Sequence, residues 1–307
     1  MMKKVKTTLE KDGFNGCFFE ICPGAEKCMI VVLSENGDDY LHRIIAKYLS
    51  GLQINTFALA KIQNKEHRNY MSHWEIDKIQ MACDWLKARG ISKIGIHGTS
   101  TGGNLALTSA SLIPDISFVW AMTPNDYVLE GQEEGRKEGM RQWCTGEGIY
   151  TWKGRELPYH PYYLTAHELS DIFRSATKKN GELTMKPVME HAEQHPVREE
   201  AFIKIEKIRG HIFIAATQDD TMWNTQIYLP RMEKRLKEKG FSYPYEIYMY
   251  DYGTHFFYPE RLYSECAPRI LAWYIPRMFQ SGKRHMKEIK QNRLDLQEKL
   301  QKSLTCW

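Results

Sequence analysis

An α/β fold, with a mostly parallel central sheet and helices on both faces, is what this sequence predicts. Three observations carry that prediction. Short β-branched apolar runs alternate with stretches that are apolar at helical spacing. The runs are apolar at consecutive positions, as strands covered on both faces are. The alternation lapses in mid-chain and then resumes, which is the pattern of one large domain carrying an insertion, and 307 residues is ample length for it.

Two segments, Val5 to Glu10 and Cys17 to Ile21, read as an antiparallel hairpin at one sheet edge. "CMIVVL" (28 to 33) is a buried strand by length and branching. "DDYLHRIIAKYLSG" follows with Leu41, Ile44, Ile45 and Tyr48 on one helical face and Gly51 as its stop. "INTFALA" is the next strand. "HWEIDKIQMACDWLKARG" sets Ile76, Ile79, Cys83 and Leu86 at helical spacing and ends at Gly90. "KIGIH" is a strand again, and Gly102 to Leu112 a helix.

After "SFVWAM" (117 to 122) the pattern fails. Asn125 to about Arg198 is rich in glycine, charge and aromatics, with no clean strand, and reads as a cap of short helices and loops. "HIFIAA" (211 to 216) then resumes the strands, "YLPRMEKRLKEKG" is a helix with Pro230 near its start, "YEIYMY" (245 to 250) is the last strand and "APRILAWYIPRMF" a closing helix. The expected organisation is a first core segment over 1–124, an inserted cap over 125–200, a second core segment over 201–280 and a helical tail over 281–307.

Composition excludes more than it selects. Forty-two basic and 38 acidic residues leave a net charge of only +4, most of the excess lying beyond Lys283, and no basic, aromatic-interleaved surface for nucleic acid is visible. The N-terminal "MMKKVKTTLEKDG" lacks an apolar stretch, and the longest apolar run, Cys28 to Leu33, is far short of a membrane span. A soluble, cytoplasmic protein is expected. Seven cysteines, odd in number and without a C-x-x-C pair, read as reduced packing residues.

The segment "KIGIHGTSTGGNLAL" (93 to 107) carries the chemistry. G-x-S-x-G alone is weak: with glycine at about 7% of residues it arises by accident in roughly one chain in ten of this length. Here, however, it lies between a strand and a helix, as a nucleophile elbow must. Gly98 and Gly102 let the backbone turn tightly and lift the Ser100 hydroxyl above the sheet, and the Thr101 amide, in the first helical turn, points at a developing oxyanion. A serine hydroxyl needs a base held by a third group, and on this architecture the acid and then the histidine follow in loops after later strands. "ATQDDTMW" offers Asp219 and Asp220; "YDYGTHFF" offers His255. The second oxyanion amide belongs to "SENGDD", where Glu35 is the choice and Ser34 the near alternative.

These residues resemble the α/β-hydrolase domain of acyl-CoA thioesterases and bile-acid-CoA:amino acid N-acyltransferases, in the form of a bacterial relative without the N-terminal β-sandwich domain of the animal members. "TPNDYVLEG" (123 to 131), "YTWKGRELPYHP" (150 to 161), "IEKIRGHIFIAATQDDTMW" (205 to 223) and "YGTHFFYPE" (252 to 260) look like that family's segments in the same order, over roughly residues 15 to 275. The resemblance implies a Ser100, Asp220, His255 triad, with serine as in the thioesterases and not the cysteine of the conjugating acyltransferases. The sequence departs from the pattern at Thr101, where the family commonly has lysine, and at Thr217, where glycine is usual.

Other signals are weaker. His191 and His195 in "HAEQH" have i, i+4 spacing but no third ligand, so no metal site is expected. The cap aromatics Trp143, Tyr150, Trp152, Tyr159, Tyr162 and Tyr163 either line an acyl pocket or pack the cap, with Trp152 and, beside the acid loop, Trp223 as the substrate-facing choices. The tail sets Ile289, Leu296, Leu300 and Leu304 on one stripe, suited to docking on its own body, to a homodimer contact or to a membrane surface. The expected function is cofactor-free serine hydrolysis of a carboxylic ester or acyl thioester. A peptidase, amidase or acyltransferase on the same triad is the alternative, as is an idle scaffold that binds a small ligand.

Overall fold

The computed structural model describes residues 3–21, 23–33, 39–60, 70–134, 142–266 and 269–307. In chain order the first part comprises β1 (Lys3–Thr7), α1 (Leu9–Asp12), β2 (Gly16–Glu20), β3 (Lys27–Val31), α2 (Tyr40–Ser50) and β4 (Asn55–Leu59). Next come β5 (Tyr70–Met71), β6 (Trp74–Glu75), α3 (Asp77–Lys87), β7 (Lys93–Thr99), α4 (Thr101–Leu112) and β8 (Ile116–Met122). The insertion holds β9 (Glu130–Glu134), β10 (Gln142–Gly148), β11 (Tyr150–Trp152), β12 (Arg155–Glu156), α5 (Ala166–Asn180) and α6 (Lys186–Ala192). The chain closes with β13 (His211–Thr217), α7 (Thr225–Glu238), β14 (Tyr245–Tyr250), α8 (Arg269–Arg277), α9 (Gln280–Arg284) and α10 (Met286–Cys306).

Eight strands form the central sheet in the order β1-β2-β4-β3-β7-β8-β13-β14. Pairing is parallel from β4 to β14 and antiparallel where β2 meets β1 and β4. Alternating residues of the central strands feed two separate cores, as a period of two requires. Cys28 and Ile30 of β3, Val119 and Ala121 of β8 and Ile212 and Ile214 of β13 pack with α3, α4 and α7. Met29 and Val31, Phe118 and Trp120, and Phe213 and Ala215 pack on the other face with α2 and α10. Both faces being covered explains why these strands read as unbroken apolar runs.

The tail helix lies on its own body. Ile289, Leu296, Leu300 and Leu304 of α10 are all at most 1% exposed, and the three leucines join Met29, Phe118 and Phe213 in the second core. Among the described residues, no helix is long and apolar enough to cross a membrane.

Three local readings are corrected. The stretch from Val5 to Glu10 is not one strand: β1 ends at Thr7, and Thr8 caps α1 by accepting from the Lys11 amide. The helix read from His73 begins only at Asp77, because Trp74 and Glu75 pair with Tyr150 and Thr151 as β6. The segment after Asn125 is not strandless. β9 pairs with β10 and with β5, and β11 pairs with β12 and with β6, so two small sheets sit in the cap and both recruit residues 70–75.

Candidate active site

Ser100 is the single residue between β7 and α4, and its backbone is bent to φ 58°, ψ −127°. A non-glycine residue there costs on the order of 1–3 kcal/mol and persists only where its surroundings hold it. They do: the Ser100 amide donates to the Met122 carbonyl at 2.9 Å, and the Asn104 amide to the Ser100 carbonyl at 2.9 Å. The flanking glycines are a matter of contact. A β-carbon on Gly98 would lie 2.1 Å from the Gly102 carbonyl oxygen, and one on Gly102 would lie 2.4 Å from that of Val32. Backbone cannot give way as a side chain can, so Gly98→Ala is expected to cost about 1–3 kcal/mol through overpacking. Thermal melting checks this; an unchanged midpoint would mean that the turn has slack.

The loops after β13 and β14 meet. Asp220 and His255 are each 1% exposed, and His255 Nδ1 lies 2.8 Å from Asp220 Oδ2 and 3.0 Å from Oδ1. The carboxylate is itself held, since Oδ1 accepts from the amides of Met222 at 2.8 Å and Trp223 at 3.1 Å. A carboxylate at Nδ1 fixes the tautomer that leaves Nε2 unprotonated, ready to take a proton. Asp219 turns elsewhere: its Oδ1 accepts from the amides of Gly253 at 3.0 Å and Thr254 at 2.9 Å, and its Oδ2 from the Ser281 hydroxyl. It therefore caps the loop that presents the histidine. Thr217 serves the same loop, its hydroxyl donating to the Thr254 carbonyl at 3.0 Å, while the Thr123 hydroxyl donates to the His255 carbonyl at 3.1 Å.

Ser100 and Thr101 line a cavity of about 110 Å³ beneath the cap. Its apolar wall is Met71, Leu129, Ile149, Met185, Met189 and Met222, and Trp223 completes it. Trp223 also sets its ring edge-on to His255, with centroids 5.7 Å apart, and so links the cavity to the acid–histidine pair. Among the described residues no hydrogen bond joins the Ser100 hydroxyl to His255; in unliganded active sites such contacts commonly tighten only around substrate. The Thr101 amide is one of those that helix geometry leaves without an intrahelical acceptor. Tyr150 reaches from the cap to the elbow, its hydroxyl donating to the Thr101 carbonyl at 3.2 Å.

The other candidates are placed as follows. Glu35 and Ser34 lie outside the described residues, as does the side chain of Trp143. Tyr162 lines the cavity; Trp152 does not, and instead holds its ring 5.4 Å from the Lys153 ammonium. His191 and His195 do not share a helix face, because α6 ends at Ala192 and His195 stacks on Tyr163 at 3.9 Å. Among the described residues no three His, Cys, Asp or Glu side chains group as metal ligands.

The family model for the BAAT / acyl-CoA thioester hydrolase C-terminal domain matches residues 79–262, more than half of the chain. The chain belongs to this family. The segments that hold Ser100, Asp220 and His255, and all of residues 125–200, fall inside the match, whose description names acyl-CoA thioester hydrolases. Among curated proteins none matches significantly. Solved structures of similar shape include the Pyrococcus furiosus esterase Pf2001, at 14% identity with 95% of this chain and 92% of that one covered and a TM-score of 0.48. Est1E from Butyrivibrio proteoclasticus is 11% identical, with 96% and 98% covered and a TM-score of 0.43. An esterase domain from a Rhodothermus marinus protein is 11% identical, with 98% of each chain covered and a TM-score of 0.46.

Sequence reasoning missed the polar part of this family member's cavity. Glu130 and Gln132 line it beside Tyr162, and both are more than nine-tenths buried. The available signal was "LEGQ" at 129 to 132, which in a strand puts Glu130 and Gln132 on one side. The segment lacks apolar alternation, so nothing in it marks a strand.

Proposed function

We propose that this chain is a serine acyl hydrolase that cleaves carboxylic esters or acyl thioesters of small acyl groups. The observation that carries the reading is the buried Asp220–His255 pair, held at 2.8 Å by loops that follow successive strands, in a fold that also bends Ser100 into a strained strand-to-helix turn. In this reading the Ser100 oxygen attacks the acyl carbonyl carbon while His255 Nε2 takes its proton. The tetrahedral oxyanion accepts from the Thr101 amide at the start of α4 and from a second amide in the loop after β3, for which Glu35 remains the choice. Collapse expels the thiolate or alkoxide, which receives the proton from His255. Water, deprotonated by the same imidazole, then releases the acid and restores the serine. Asp220 holds the ring and stabilises its cation, and the reaction needs no metal or cofactor.

Cavity size supports the small acyl group. A cavity of roughly 150 Å³ accommodates benzene, so about 110 Å³ suits a group of about four to six heavy atoms. Two measurements test the proposal. A fluorophosphonate probe should label the wild-type protein at Ser100. Along a series of 4-nitrophenyl esters, kcat/KM should fall at least tenfold from butanoate to decanoate. An unlabelled serine would remove the covalent mechanism; a flat chain-length profile would detach the cavity from acyl recognition.

A further inference from the structure

The cavity beside Ser100 has a carboxylate in its wall that no cation among the described residues meets. Glu130 is 6% exposed, and it accepts from the Gly146 amide at 3.0 Å on Oε1 and from the Tyr162 amide at 2.8 Å on Oε2. A carboxylate offers about four lone-pair positions, so these two donors leave capacity toward the cavity. Gln132 stands two residues along β9, its amide nitrogen donating to the Tyr162 hydroxyl at 2.9 Å. Tyr162 is thereby tied at both its amide and its hydroxyl, and the Glu130, Gln132 and Tyr162 cluster is held in place.

Among the described residues no lysine, arginine or histidine pairs with Glu130. Burial pushes its carboxyl above the usual range, and the two backbone donors offset only part of that. The charged form of a buried carboxylate is costly without a cation beside it, and a ligand cation in the cavity would stabilise that form. Apart from Ser100 and Thr101, the rest of the wall is methionine, leucine, isoleucine and tryptophan, which cannot solvate an ion.

Resting on the serine-hydrolase reading, we infer that the acyl group taken by this cavity carries an ammonium, which pairs with Glu130 while its carbonyl lies at Ser100. The substrate class is therefore short amino-acyl esters or thioesters. Methionine side chains, flexible and polarisable, suit a short methylene linker between the two polar ends.

A matched pair of esters reads this directly: the 4-nitrophenyl esters of β-alanine and of butanoic acid differ only by ammonium for methyl. The wild-type kcat/KM ratio is expected to favour the β-alanyl ester at least tenfold and to collapse toward one in Glu130→Gln. The 3-hydroxypropanoyl ester should fall between the two. Binding without chemistry is measured by calorimetry of n-propylammonium on the Ser100→Ala protein, with n-propanol as the neutral comparison; only the ammonium should bind. A wild-type ratio at or below one overturns the inference. So does a ratio that Glu130→Gln leaves unchanged, a preference for the hydroxy ester, or an absence of n-propylammonium binding. Should no ester be turned over while n-propylammonium still binds, the serine reading fails and the ammonium site stands.

Discussion

Ser100→Ala is expected to lower kcat on any accepted ester by about 10⁶-fold, the size of loss that follows removal of the nucleophile from a Ser-His-Asp site. The argument depends on the fold surviving, and the local structure indicates that it does. The substitution removes one oxygen that makes no hydrogen bond among the described residues, and alanine bears the same β-carbon at φ 58° that serine does. The backbone bonds to Met122 and Asn104 are untouched. Melting temperature should therefore stay within a degree or two of wild type. Ser100→Gly supplies the complementary control: glycine tolerates positive φ, so this variant should be equally inactive yet more stable, by up to about 1 kcal/mol. Inactivity joined to a gain in stability would mark the bend as strain held for function. Activity within tenfold of wild type in either variant ends the covalent mechanism.

Much of this was legible from particular residues. "CMIVVL", "FVWAM" and "IFIAA" are apolar at every position because β3, β8 and β13 are covered on both faces, so they announce themselves without tertiary information. The tail stripe from Ile289 to Leu304 is likewise a local pattern, although only the structure shows which surface it covers. The turn at Ser100 and the loops that carry Asp220 and His255 were readable because each follows a strand of that legible sheet. The cap was not readable, for a physical reason. β9 is "EGQEE", with no apolar alternation, and it is held between β10, just downstream, and Tyr70 and Met71, some sixty residues upstream. Its fit is set by these neighbours and not by its own residues, so its sequence does not announce a strand. Glu130 was hidden with it: a glutamate in a charged stretch reads as solvated until the strand turns it inward. The adjacent aspartates lie between these cases, since their loop was clear but their directions were not.

Those directions now make a divergent prediction. Asp220→Asn should lower kcat by about 10⁴-fold, because an amide can present its NH₂ to His255 Nδ1 and favour the tautomer whose Nε2 already carries a proton, as when the triad acid of a serine protease becomes an amide. The asparagine oxygen can still accept from the Met222 and Trp223 amides, as Asp220 does, so the loop should hold and KM should change little. Asp219 acts on the loop backbone instead, bonding the amides of Gly253 and Thr254 just before His255. Asp219→Asn keeps an acceptor oxygen for those amides and should cost under tenfold in kcat. Asp219→Ala removes the acceptor, leaves two amides unsatisfied and frees Thr254, which is held at φ 64°. It should lose about 1–3 kcal/mol of stability, with a loss of activity that follows the misplacement of His255. Measuring kcat on one ester beside thermal stability separates the roles: Asp220→Asn loses rate at nearly constant Tm, whereas Asp219→Ala loses both. If Asp219→Asn is the crippled enzyme and Asp220→Asn is nearly normal, the acid has been assigned one residue out of place, and Asp219, not Asp220, orients the imidazole in turnover.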